Sequence, residues 1–210
     1  MTGDLTANLP AMLLMGAALT AAFSGAPLLL RTLNPALGQR IATLAMVAAA
    51  LGGLVGAVMT LLRRQHVTYQ LAWPLPFGPA ECGIDPLTAF FALPILLVAA
   101  CCSIYALGYW PARGNPRTVR KLTFFFGLLV SAMLFVIMAR SAGLFLLAWE
   151  IMALAAYFVL TTDDHTAEVR DAGTLYMICT HTGTLALFAL FALLKSISGS
   201  FTFPGAGDAL

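Results

Sequence analysis

A carboxylate and an imidazole lie inside otherwise apolar stretches: Glu150 in the run 141–162 and His181 in the run 172–194. At 1.5 Å per residue each sits about 13 Å into its run, near the middle of a hydrocarbon layer about 30 Å thick. The second run recrosses the layer, so the two groups lie at similar depth on antiparallel segments. A charge at that depth is costly and is tolerated only in a packed interior, beside a partner or next to water. Glu150 therefore reads as a proton carrier, the plainer alternative being a protonated acid that bridges two helices. For His181 a relay role and a single structural hydrogen bond both stay open. Thr180, Thr182 and Thr184 offer hydroxyls beside it, and Gly183 offers a site of close approach. Thr180 and Lys195 are possible further members of the path, although snorkelling to the interface accounts fully for Lys195.

The other acidic residues, Asp4, Glu81, Asp85, Asp163, Asp164, Glu168, Asp171 and Asp208, fall in connections, tails or a helix mouth. Cys82, Cys101, Cys102 and Cys179 have neither zinc-ligand nor disulfide-framework spacing and read as small buried hydrophobes. Met12, Met15 and the phenylalanines 124–126 are packing or lipid-facing residues. Phosphate-binding glycine loops, cysteine clusters and activated serines are missing, so the expected catalytic, cofactor and metal sites are none. Any redox chemistry is expected on another chain.

The elements that must place Glu150 and His181 follow from composition. Hydrophobic residues make up 60% of the 210 and charged residues 10%, against about 45–50% and 25% in a soluble domain. Mean hydropathy is +0.91. A net charge of +2, spread along the chain, argues against a nucleic-acid partner. Runs at 9–30, 41–62, 87–110, 122–139, 141–162 and 172–194 are each long enough to cross a bilayer. They are continuous where barrel strands alternate, so each is expected to be a helix whose backbone satisfies itself. The expected fold is all-α: one polytopic membrane bundle, residues 1–210, of about six transmembrane helices. Residues 63–86 form its sizeable connection, where Val67, Tyr69, Leu71 and Trp73 alternate with polar or small residues. Pro74, Pro76, Gly78 and Pro79 follow, which predicts a short hairpin. Asp4, with no basic residue ahead of the first run, argues against a secretory signal.

Arg31, Arg40, Arg113, Arg117, Arg120, Lys121 and Arg170 fall on one side, and Arg63, Arg64, Arg140 and Lys195 on the other. The richer side is assigned to the cytoplasm, with the hairpin and both termini on the outer face. The loop 113–121 carries most of that bias. Topology is its simpler explanation, an anionic-lipid or partner contact the alternative.

Three stretches go beyond a generic membrane bundle. Ile84-Asp85-Pro86-Leu87-Thr88-Ala89-Phe90-Phe91 opens the third run, which closes on Ser103-Ile104-Tyr105-Ala106-Leu107-Gly108-Tyr109. The fifth contains Trp149-Glu150-Ile151-Met152 and Tyr157-Phe158-Val159-Leu160. Glu168-Val169-Arg170-Asp171-Ala172-Gly173 leads to Tyr176 and Thr180-His181-Thr182-Gly183. In this order they resemble the antiporter-like membrane subunits of complex I, Mrp antiporters and membrane-bound hydrogenases. The Thr-His-x-Gly element is most similar to the branch of hydrogenase-4 component B and formate hydrogenlyase subunit 3. The resemblance covers residues 80–195 well and the first two runs loosely. It implies that Glu150 is a proton-translocation residue of a proton- or sodium-translocating subunit in an NADH dehydrogenase or hydrogenase complex. The implied partners are other membrane subunits, the lipid bilayer and the ions themselves, and the implied location is the bacterial inner membrane. Members of that family pair the glutamate with a lysine on a broken seventh helix and continue through inverted repeats. That reads this chain as an N-terminal portion of a longer or split subunit, or as a degenerate relative. The alternative function is a non-transporting scaffold subunit, with a small free-standing antiporter as an outlier.

Overall fold

The computed structural model describes residues 2–29, 34–71, 73, 78–114 and 116–203. Among the described residues, six helices are long and apolar enough to cross a membrane, as the runs predict. They are α1 (Thr2–Ser24, continued by a 3-10 turn at Ala26–Leu29), α2 (Pro35–Arg63), α3 (Pro86–Tyr109), α4 (Thr118–Met138), α5 (Ala142–Leu160) and α6 (Ala167–Ser198). Between α2 and α3 lie β1 (Val67–Leu71) and β2 (Ala80–Ile84).

α2 and α6 extend past their apolar runs at both ends, whereas α1 stops at Ser24 and α5 lies inside its run, because capping and backbone geometry, rather than hydropathy, stop a helix. Asn34 Oδ1 accepts from Ala36 N at 3.0 Å, and Pro35 occupies the first turn, where its missing N–H costs nothing. Gly199 ends α6 in the left-handed conformation at φ 75°, well beyond residue 194.

Alanine and glycine let α1, α2, α3 and α4 approach closely. Ala18, Ala50, Ala57, Ala89 and Ala92 are fully buried. A Cβ on Gly56 would meet Pro10 O at 2.7 Å, and one on Gly127 would meet Ala21 O at 2.5 Å. With lipid supplying no hydrophobic drive between helices, such small-residue contact is the main source of packing attraction. α5 packs on α4, and α6 packs on α5 at the edge of the bundle.

β1 and β2 form the expected antiparallel hairpin, from Val67 opposite Ile84 to Leu71 opposite Ala80. β1 stops at Leu71, and Trp73 Nε1 instead donates to Gly78 O at 2.8 Å across the loop. Pro74, Pro76, Arg31 and Asp208, all named in the sequence reading, lie outside the described residues.

The free edge of β2 is covered by the α4–α5 connection. Cys82 bridges to Ala139, and Arg140 N donates to Glu81 O at 2.8 Å. Ser141 then bridges to Thr202, with Ala142 N on Phe201 O and Phe203 N on Arg140 O, both at 2.9 Å. Three connections at one end of the bundle thus share one extended layer. The cysteine expectation holds only for Cys82. Its thiol is pushed up to about 11, chiefly by burial, with Arg140 opposing. Cys101, Cys102 and Cys179 are exposed on helix flanks, where a small apolar group is as content against lipid as in a core.

Arg140 ties this layer to α3. Its Nη2 donates to Asp85 Oδ2 at 2.7 Å and to Thr88 Oγ1 at 2.8 Å, while Nη1 donates to the carbonyls of Ala139 and Ile137 at 3.0 and 3.2 Å. Asp85 also caps α3, its Oδ1 accepting from Thr88 N at 2.7 Å. Burial raises the Asp85 carboxyl, but the Thr88 hydrogen bonds and the Arg140 charge outweigh it and hold the group below its ordinary 3.8. A depressed carboxylate stabilises the fold above its unfolded value and loses that contribution as pH falls through the folded one. Charge-assisted bonds of this kind contribute about 2 kcal/mol. In neutral detergent, Arg140→Gln is expected to lower thermal stability at pH 7. Asp85→Asn should do the same and also remove part of the wild-type loss of stability on acidification below about pH 4. An unchanged melting profile in both variants contradicts the role of the pair.

Candidate functional site: an acid and a histidine between two helices

Glu150 stands midway along α5 and His181 midway along α6, which returns antiparallel after a short turn. Two contacts clamp the helices together. At one end Gly173 lies so near α5 that a Cβ there would meet Thr161 Cγ2 at 2.5 Å. At the other, Ala142, Leu146 and Phe191 form a cluster with Phe145, Phe201 and Phe203 packed on it. The Phe145 and Phe191 rings meet edge to face at 5.4 Å, and Phe191 stacks on Phe203 at 5.5 Å.

Between the clamps, His181 Nε2 faces Glu150 Oε2 at 3.7 Å. This is longer than a hydrogen bond, yet within reach of a small side-chain rotation or one bridging water. The side chains are 49% and 29% exposed. His181 Nδ1 lies 3.0 Å from Met177 O one turn back. A carbonyl only accepts, so this contact keeps the hydrogen on Nδ1 and leaves Nε2 as the nitrogen that exchanges with the acid. Glu150 Oε1 and Trp149 Nε1 are buried without a hydrogen-bond partner among the described residues. The Trp149 ring stacks on Phe145 at 5.9 Å.

The threonines do not line a polar path directly. Thr180 Oγ1 donates to Tyr176 O at 2.9 Å, Thr182 to Ile178 O at 2.7 Å and Thr184 to Thr180 O at 3.1 Å, the usual fate of helix-interior hydroxyls. Gly183, read as a site of close approach, has nothing within 4 Å of an added Cβ among the described residues. Lys195 lies at the far end of α6 with its ammonium 4.3 Å from the Phe201 ring centre, apart from Glu150. Arg140 is committed to Asp85.

Sequence reasoning missed Lys121, counted there only as a loop charge. It lies in the first turn of α4, where Nζ donates to Thr161 O at 2.8 Å and meets Asp164 Oδ2 at 3.3 Å. That caps the negative end of the helix bearing Glu150. The Asp-Pro-x-Thr pattern at 85–88 did signal the α3 cap, but nothing in the sequence linked it to Arg140.

Fold and site together define a multi-pass membrane protein, an α-helical bundle with a partly exposed acid–histidine pair at mid-helix depth. No protein-family model matches the chain. An uncharacterised Mycobacterium tuberculosis protein, found in strains CDC 1551 and H37Rv, is 32% identical over 161 residues, which are 77% of this chain and 23% of that protein. Hydrogenase-4 component B of Escherichia coli K12 is 27% identical over 162 residues, covering 75% of this chain and 24% of the relative. The chain thus spans about a quarter of the length of the curated relatives it matches. The fold matches a chain of the archaeal membrane-bound sulfane sulfur reductase, a respiratory membrane complex. The TM-score is 0.72 at 18% identity, with 90% of this chain and 28% of the other covered. The resemblance to antiporter-like respiratory membrane subunits, with hydrogenase-4 component B among them, therefore holds.

In the neutral ring of His181, nitrogen NMR is expected to find the proton on Nδ1. A neutral ring protonated on Nε2 contradicts the geometry assigned to the pair.

Proposed function

We propose that the chain is a membrane subunit of a redox-driven respiratory or hydrogenase-type complex and that Glu150 and His181 carry protons through the middle of the bilayer. The observation behind this reading is the 3.7 Å approach of His181 Nε2 to Glu150 Oε2. With Nδ1 held on Met177 O, the pair exchanges between a neutral acid facing a bare Nε2 and a carboxylate facing an imidazolium. One proton shift separates the two, and neither state leaves a lone charge in hydrocarbon. Protons rather than sodium suit this site, because an imidazole nitrogen is a poor ligand for a hard cation. The energy comes from partner subunits that perform the redox step. Leu175, Ile178, Leu185, Phe188, Leu193 and Ile197 give α6 a broad apolar outer face that suits membrane neighbours.

The decisive experiment is proton pumping by the reconstituted complex. Glu150→Gln preserves shape and should abolish pumping, and His181→Asn should slow it by about a hundredfold, the usual worth of a positioned proton-transfer group. Pumping at the wild-type rate in Glu150→Gln overturns the carrier role and leaves the scaffold reading.

The orientation proposed with this function puts the hairpin outside and the loop 113–121 in the cytoplasm. In a cysteine-free background, Pro79→Cys should label from outside with an impermeant maleimide, and Gly114→Cys only after permeabilisation. The reverse pattern inverts the topology.

A further inference from the structure

The basic residues at the end of the bundle opposite the hairpin divide into two sets. Arg120 donates to Leu28 O at 2.6 Å, Lys121 binds Thr161 O and Asp164, and Arg170 donates to the carbonyls of Asp164 and His165 at 3.0 and 3.1 Å. Among the described residues, the Arg40, Arg113 and Arg117 side chains meet no carboxylate and no carbonyl. Two of these arginines, Arg40 and Arg113, line one cavity of 320 Å³ with Ala36, Gln39, Leu107 and Pro111, and among the described residues no acidic one lines it.

The floor of the cavity is fixed. Gln39 Nε2 donates to Trp110 O at 3.0 Å and Ala106 O at 3.2 Å, and its Oε1 accepts from Ala112 N at 3.1 Å. This holds the chain leaving α3 against the start of α2, keeping the two arginines on one opening. The cavity also sits at the bilayer boundary. α2 has 29 residues, so at 1.5 Å each it is about 43 Å long and outreaches a core of about 30 Å. Tyr105 and Tyr109, stacked at 5.2 Å and exposed, form an interfacial aromatic pair nearby. Towards the membrane the surface turns apolar. Leu44 lies one turn beyond Arg40 and is 69% exposed, and Ile104 lies one turn before Leu107 and is 55% exposed.

We propose that Arg40 and Arg113 form a headgroup site for an anionic phospholipid, whose phosphodiester sits between the two guanidinium groups and whose acyl chains run along Leu44 and Ile104. Two arginines that line one opening supply guanidinium forks that match the oxygens of a phosphodiester. The apolar continuation favours a lipid over free phosphate. This site is independent of the proton-carrier reading.

The test uses the delipidated protein in neutral detergent, with bound lipid counted by native mass spectrometry during titration with phosphatidylglycerol or chain-matched phosphatidylcholine. The wild type should retain phosphatidylglycerol selectively. Arg40→Gln with Arg113→Gln should weaken that binding at least about tenfold, as expected for two lost charge-assisted contacts. The charge-matched pair Arg64→Gln with Arg117→Gln should leave it unchanged. Arg113→Gln alone, in an exposed loop, serves if the double variant does not fold, and should show a partial loss. Equal losses in both double variants, no preference for phosphatidylglycerol in the wild type, no loss in Arg113→Gln, or displacement of the lipid by equimolar inorganic phosphate would each overturn the site.

Discussion

The guanidinium of Arg140 holds together what the helices alone leave separate. Three segments, β2, the α4–α5 connection and residues 201–203, meet at its end of the bundle, each with backbone groups that no helix satisfies. Arg140 reaches Asp85 at the start of α3 and carbonyls at the end of α4, while its backbone joins β2 to the strand-like residues 201–203. Removing the guanidinium strands a half-buried Asp85 carboxylate, which is why both partners matter more than a surface ion pair does.

Glu150 and His181 inherit their geometry from that junction. The residues after α6 return to pair with Arg140 and Ala142, pulling the far end of α6 onto α5. Lys121 fixes the opposite end of α5 by binding its last carbonyl. The pair therefore sits in a seam pinned at both ends and open along one side, so its groups are held in register while the imidazole remains half exposed. Such a seam suits exchange better than a sealed core, where a proton has no route in or out.

Charge at the two ends of the bundle follows one logic. Cations that touch a helix end or a carboxylate brace the fold: Arg140, Lys121, Arg120 and Arg170. Arg40 and Arg113 brace nothing among the described residues, and they lie where lipid headgroups supply negative charge.

The sequence by itself determined the helical class, the number of spans, the hairpin and the matched depth of Glu150 and His181. Hydrocarbon forces continuous apolar runs into helices, and a fixed rise converts residue count into depth. It did not determine which way each side chain points. α3 and α5 are apolar nearly all round, so no stripe distinguishes the face that meets protein from the face that meets lipid. For that reason the exposure of Cys101, Cys102 and Cys179 on helix flanks and the idle space at Gly183 were illegible. The same is true of Arg140 choosing Asp85. Those choices depend on the rotation of each helix about its axis, and in lipid that rotation is set by small-residue contact and polar pairing between neighbours, which only the tertiary structure decides.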